Sequence, residues 1–102
     1  MKKIILIFLA LLFSTFSFAE DNRMELGLEV YNNKAQCGAC HVLEAAGSEG
    51  QIGPNLDMLK PQMLQIINAV KNGIGVMPPW GDILTLEEIE AVAYYVFTST
   101  NK

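Results

Sequence analysis

Cys37, Gly38, Ala39, Cys40 and His41 stand together in a chain of 102 residues that has no other cysteine and no other histidine. Two thiols separated by two residues, with an imidazole directly after them, fit three chemistries: a redox dithiol, part of a zinc site, or the segment through which a c-type haem is attached. A structural zinc site needs four ligands, usually Cys and His, and the chain has three such residues. A thioredoxin-like dithiol needs a βαβ setting that this sequence lacks. A plain disulfide accounts for the cysteines and leaves the lone histidine beside them unexplained. Haem attachment uses all three side chains. The thiols add to the two vinyl groups on one side of the porphyrin, and the adjacent imidazole is thereby placed under the iron as axial ligand. Small Gly38 and Ala39 let the segment lie close to the ring.

If His41 holds one face of the iron, a thioether must hold the other, because no second histidine exists. Met24 precedes the attachment segment too closely. Met63 fits the buried stripe of its own helix, and Met58 shares a short segment with Leu56 and Leu59, where packing accounts for it. Met77 alone sits among prolines and glycines that hold an extended loop, 36 residues after His41, enough chain to wrap to the opposite face. Met77 is assigned the sixth position, which leaves no open site for substrate or oxygen and favours an electron carrier over an enzyme.

The elements that must position these residues read as helices separated by loops. The first spans about Asn22 to Asn33, with Asn22 available as a cap and Gly27/Tyr31 at helical spacing. The stretch Ala46 to Pro54 carries three glycines and a proline and reads as loop. Asp57 to Leu59 suits a short helical turn. A longer helix begins near Lys60-Pro61 and stops at Gly73, with Met63, Ile67, Val70 and Leu64 on one face. Gly73 to Asp82 is irregular, because glycines precede and prolines follow Met77. The last helix opens on Thr85 and Glu88, a capping box, and shows an apolar stripe of Ile89, Val92, Ala93 and Val96. No segment alternates as a strand, so the fold class is all-α.

The chain opens on Lys2-Lys3, an apolar run and Ser17-Phe18-Ala19, a secretory leader with expected cleavage after Ala19. Removing residues 1–19 leaves 83 residues, one domain over 20–102 that needs a disulfide, metal or cofactor to supplement its small core. Five basic residues then face 11 acids, a net charge of −6. That balance argues against nucleic acid and anionic membrane as partners, and suits either a carrier docking on basic surfaces or a periplasmic protein that its acids simply keep soluble. Export also agrees with haem, which is attached on the far side of the membrane.

Cys37 to His41, Gly53-Pro54-Asn55-Leu56, Asn72-Gly73 followed by Met77-Pro78-Pro79-Trp80, and Leu84 to Ile89 with Tyr95-Val96 resemble, in order, the landmarks of small mono-haem class I cytochromes c. The resemblance covers essentially the whole chain after the leader. It implies a cytochrome c fold of three to four helices around one haem c, with thioethers at Cys37 and Cys40, axial ligands His41 and Met77, and the Pro54 carbonyl on the other ring nitrogen of His41. It also implies crossed terminal helices that bring Gly27 and Tyr31 against Tyr95. Tyr31 stands six positions before Cys37, farther than in many members. Trp80 either serves a propionate or packs on the haem edge. An apolar shell of Ile52, Leu56, Leu64, Ile67, Ile74 and Val96 is expected to raise the potential.

The function implied is periplasmic transfer of single electrons, with no membrane span in the mature chain. The donor would be a periplasmic dehydrogenase and the acceptor an oxidase or another cytochrome. Cys-His-x-Leu-x-x-Ala-Gly and Met-Pro-Pro-Trp are also similar to haem subunits of dehydrogenases such as sulfite dehydrogenase. A haem-based sensor, in which Met77 leaves the iron, is the alternative of another class.

Overall fold

The structure, a computed structural model, describes residues 19–102; the leader read over residues 1–19 lies, apart from Ala19, outside them. Helix α1 occupies residues 19–29 and runs straight into a π-turn, Val30–Lys34. Asn22 therefore lies within the helix rather than capping it, because Ala19 and Glu20, both good helix formers, are already in helical conformation. In the π-turn the Ala35 N–H reaches back five residues to the Val30 carbonyl at 2.9 Å. The wider turn takes up an extra residue between Tyr31 and Cys37 while Val30 and Tyr31 both stay fully buried. It is the structural answer to the long Tyr31–Cys37 spacing.

After a 3-10 turn, Cys37–Ala39, the chain makes a small antiparallel pair that the sequence reading did not anticipate. Strands β1 (Val42–Leu43) and β2 (Ser48–Glu49) pair Val42 with Glu49 and Leu43 with Ser48. Two residues are too few to show alternation, and the connection turns at Gly47, whose φ of 65° is left-handed.

Helix α2 is one turn, Leu56–Leu59, capped by the Asn55 side chain accepting from the Met58 N–H at 3.2 Å. Helix α3 (Met63–Asn72) begins two residues after Pro61 because Gln62 is its cap, the Gln62 N–H donating to the Gln65 side chain. Its inward face is Ile66 and Val70 with Met63 and Ile67 beside them, the i, i+3, i+4, i+7 rows of one stripe. Leu64, placed on that face by the sequence reading, lies a third of a turn away and is 72% exposed.

Helix α4 (Leu86–Thr100) carries the capping box as expected, with the Glu88 N–H on Thr85 Oγ1 at 3.1 Å and the Thr85 N–H on Glu88 Oε1 at 2.9 Å. Ile89, Val92, Ala93 and Val96 are all buried. Where α1 crosses α4, a Cβ on Gly27 would stand 2.3 Å from the Ala91 carbonyl oxygen and 2.5 Å from Tyr95 Cβ. Only glycine permits that approach. It brings the Tyr31 and Tyr95 rings to 5.9 Å between centroids, the contact expected of crossed terminal helices. No helix among the described residues is long and apolar enough to cross a membrane.

Candidate functional site

Gln36, in left-handed conformation at φ 50°, turns the chain out of the π-turn and into the Cys37–His41 segment. The segment then folds on itself: the Cys40 and His41 N–H groups both donate to the Cys37 carbonyl, at 3.1 and 3.0 Å. The following chain wraps it closely. Gly53 N–H donates to the Cys40 carbonyl at 2.7 Å, and a Cβ on Gly50 would stand 2.6 Å from the Ala39 carbonyl. Gly53 lies flat against the imidazole, where a Cβ would come 2.5 Å from His41 Cε1.

His41 Nδ1 is 2.7 Å from the Pro54 carbonyl oxygen. A carbonyl can only accept, so Nδ1 carries the hydrogen, and in the neutral ring Nε2 is then the nitrogen with a lone pair to offer. The ring is thus oriented and left with one free ligating atom.

Met77 is brought in from the end of α3. Gly73 closes that helix at φ 71°, ψ 165°, a conformation side chains avoid, and a Cβ there would stand 2.6 Å from the Met77 carbonyl oxygen. Ile74 and Met77 exchange both backbone hydrogen bonds, at 3.1 and 3.0 Å, closing a tight turn around Gly75. Beyond the two prolines, Trp80 N–H bonds the Val70 carbonyl at 2.8 Å and Gly81 N–H that of Lys71 at 3.1 Å. Both sides of the Met77 loop are therefore tied to carbonyls of α3.

Cys37, His41, Pro54 and Met77 line one cleft of about 640 Å³, between the Cys37–His41 segment, α3 and α4. Its walls are mainly apolar, from Leu56, Leu59, Ile66, Val70, Val92 and Val96. Cys40 does not line the cleft, and neither does Trp80, which is partly buried against the core and held by its backbone bond to α3. Of the apolar shell expected from sequence, Leu56, Ile74 and Val96 line the cleft. Ile52 and Leu64 are instead 70% and 72% exposed, and Ile67 packs into the protein core. Met58, which packing was expected to explain, is 81% exposed. Tyr31, expected against Tyr95, and Val92, expected on the apolar stripe of α4, line the cleft as well.

A flat, largely apolar macrocycle fits this cleft. Leu59 and Ile74 line it while remaining exposed, a surface that a bound ring would remove from water. Thiol, imidazole and thioether converge on it. Burial pushes the Cys37 thiol up to about 11, the opposite of an activated redox dithiol. Among the described residues no group of three or more His, Cys, Asp or Glu is placed to hold a metal ion by itself.

Residues 22–96 match the protein-family model described as cytochrome C oxidase, cbb3-type, subunit III. The chain belongs to the cytochrome c family. The cytochrome is similar to cytochrome c6 of Bryopsis maxima, 33% identical over 78% of this chain and 94% of that protein. It is also similar to the chloroplastic cytochrome c6 of Chlamydomonas reinhardtii, 38% identical over 72% of this chain, and spans about half (53%) of that relative's length. Among solved structures, the c-type cytochrome SorU from Sinorhizobium meliloti superposes with a TM-score of 0.75 at 46% identity, over 80% of this chain and 95% of that one. The cytochrome is a small mono-haem electron-transfer protein with a covalently bound haem c, and Cys37 and Cys40, with His41 after them, fit the Cys-x-x-Cys-His motif.

Proposed function

We propose that the cytochrome carries single electrons in the periplasm, with its leader cut after Ala19, its domain over residues 20–102, thioethers at Cys37 and Cys40, and His41 and Met77 as axial ligands. The observation that carries this reading is the 2.7 Å bond from His41 Nδ1 to the Pro54 carbonyl, which leaves Nε2 as the free atom of a ring lining the same cleft as Met77. Bound there, haem supplies a one-electron ferric/ferrous couple. The chain supplies what makes that couple usable: a fixed imidazole, a thioether on a braced loop, and an apolar wall that excludes water. Thioether ligation and an apolar surround both favour the ferrous form over the ferric. With His41 and Met77 both holding the iron, the centre would rearrange little as its charge changes, and no coordination position would remain for a substrate.

The excess of acidic residues supports donors and acceptors with basic docking faces, approached by electrostatic steering. Such partners are a dehydrogenase on the donor side and an oxidase or second cytochrome on the acceptor side. The test is the intact mass and absorption spectrum of protein exported in a host with haem-attachment machinery. The expected mass is that of the chain from Glu20 plus one haem, with a low-spin ferrous spectrum. A colourless protein of bare polypeptide mass, in a host that matures a control cytochrome, would overturn the reading.

A further inference from the structure

His41 has four polar atoms, and three are held. Its N–H donates to the Cys37 carbonyl at 3.0 Å, Nδ1 is bonded to Pro54, and its carbonyl oxygen lies 2.9 Å from Ser48 Oγ. Only Nε2 is left. Ser48 Oγ in turn lies 2.8 Å from the Tyr31 hydroxyl and 3.5 Å from the Leu43 carbonyl, the last at the edge of bonding distance. A serine hydroxyl donates once. Since the His41 carbonyl can only accept, that hydrogen goes to it, and Tyr31 must donate to Ser48. The relay therefore has one polarity: Tyr31 to Ser48 to the carbonyl of His41.

We propose that Ser48 and Tyr31 are positioning residues of the electron-transfer centre, a two-hydroxyl relay that fixes the backbone of His41 while Pro54 fixes its ring. The inference rests on the reading of His41 as axial ligand.

A buried phenol needs an acceptor, and many would serve that need alone. Here the relay spans the attachment segment. Ser48 is set by its pairing with Leu43 across the β1–β2 hairpin, and it fills the space that Gly38 leaves open: a Cβ on Gly38 would stand 2.6 Å from Ser48 Cβ and 3.5 Å from Tyr31 Cε1. Tyr31 also lines the cleft. Burial pushes its hydroxyl up to about 12, so it remains a donor throughout the working range. A ligating residue whose every other polar atom is tied enters both redox states in one orientation.

The experiment compares holoprotein of the wild type with Ser48→Ala, Tyr31→Phe and the double variant, reading the midpoint potential and the ring-proton signals of the ligating histidine. Ser48→Ala is expected to shift the potential and displace those signals. Tyr31→Phe, which keeps the ring and the bond from Ser48 to His41, is expected to shift both less, and the double variant no further than Ser48→Ala, since the two act in series. Ser48→Thr, which retains a hydroxyl, is expected to restore both. If Ser48→Ala does not mature, Tyr31→Phe carries the test alone. Variants that melt earlier but keep wild-type potential and ring signals would overturn the relay as a positioning device. A wild-type holoprotein without histidine ligation would overturn the relay and the ligand assignment together.

Discussion

Gly53 lies so close to His41 that a Cβ on it would stand 2.5 Å from the imidazole Cε1, 2.9 Å from Nδ1 and 3.1 Å from Nε2. The glycine and the ring are pressed face to face, and Pro54, the next residue, accepts the bond that orients the ring. Gly53→Ala must therefore push the imidazole away and disturb that bond, worth about 1 kcal/mol to the fold. The expected outcome is a lower yield of mature haem protein and a shifted potential in what matures. Visible spectra and potentiometry against the wild type check it; an unaltered protein would mean that the ring has slack the structure does not show.

The α1–α4 crossing should be as sensitive. An alanine at residue 27 gains roughly 1 kcal/mol of helix propensity, but its methyl has to displace the Ala91 backbone and Tyr95, an overpacking cost of about 1–3 kcal/mol. Gly27→Ala is expected to lower stability, and Gly27→Val to lower it further. Denaturant midpoints at constant slope would show it.

Lys34 and Glu88 form an ion pair that ties the π-turn to the first turn of α4. The hydrogen bond from Lys34, helped by the Thr85 backbone, holds the Glu88 carboxyl below its ordinary value of 4.5. A depressed folded value stabilises the native state above pH 4.5 and loses that contribution as the pH falls through the lower, folded value. Stability of the wild type should thus drop on acidification below the ordinary glutamate range. Glu88→Gln should be less stable at neutral pH and show a smaller drop. Equal acid slopes in the two proteins would count against the pair.

Electron transfer to a basic partner should slow steeply as salt is added, because exposed charges are screened within about 10 Å at 0.1 M. Stopped-flow rates over a range of ionic strength measure this. Rates independent of salt would point instead to an apolar docking face.

Much of the site could be read in the sequence because it is local. The Cys37–His41 spacing, the Thr85/Glu88 box and the glycine and proline framing of Met77 each lie within a few residues, and each is where it was expected. What escaped depends on contacts between distant segments. The long Tyr31–Cys37 spacing shows in the sequence, but the π-turn that absorbs it, with Tyr31 against Tyr95 and Cys37 at the cleft, does not. The β1–β2 pair is too short to alternate. In the sequence Ser48 is an ordinary residue of a glycine-rich loop, and only the fold brings it to Tyr31, 17 positions earlier. Leu64 and Ile66 are equally apolar, and Ile66 is the one that lies on the stripe of α3 turned to the core.

Met77 as sixth ligand is the claim on which the proposed function turns, and the far-red spectrum of the oxidised holoprotein tests it most directly. The wild type is expected to show the weak band of methionine–ferric ligation. Met77→Ala is expected to lose the band, lower the midpoint potential and let the ferrous protein bind carbon monoxide. A band that persists in Met77→Ala, or a wild type that lacks it and already binds carbon monoxide at neutral pH, would contradict the assignment.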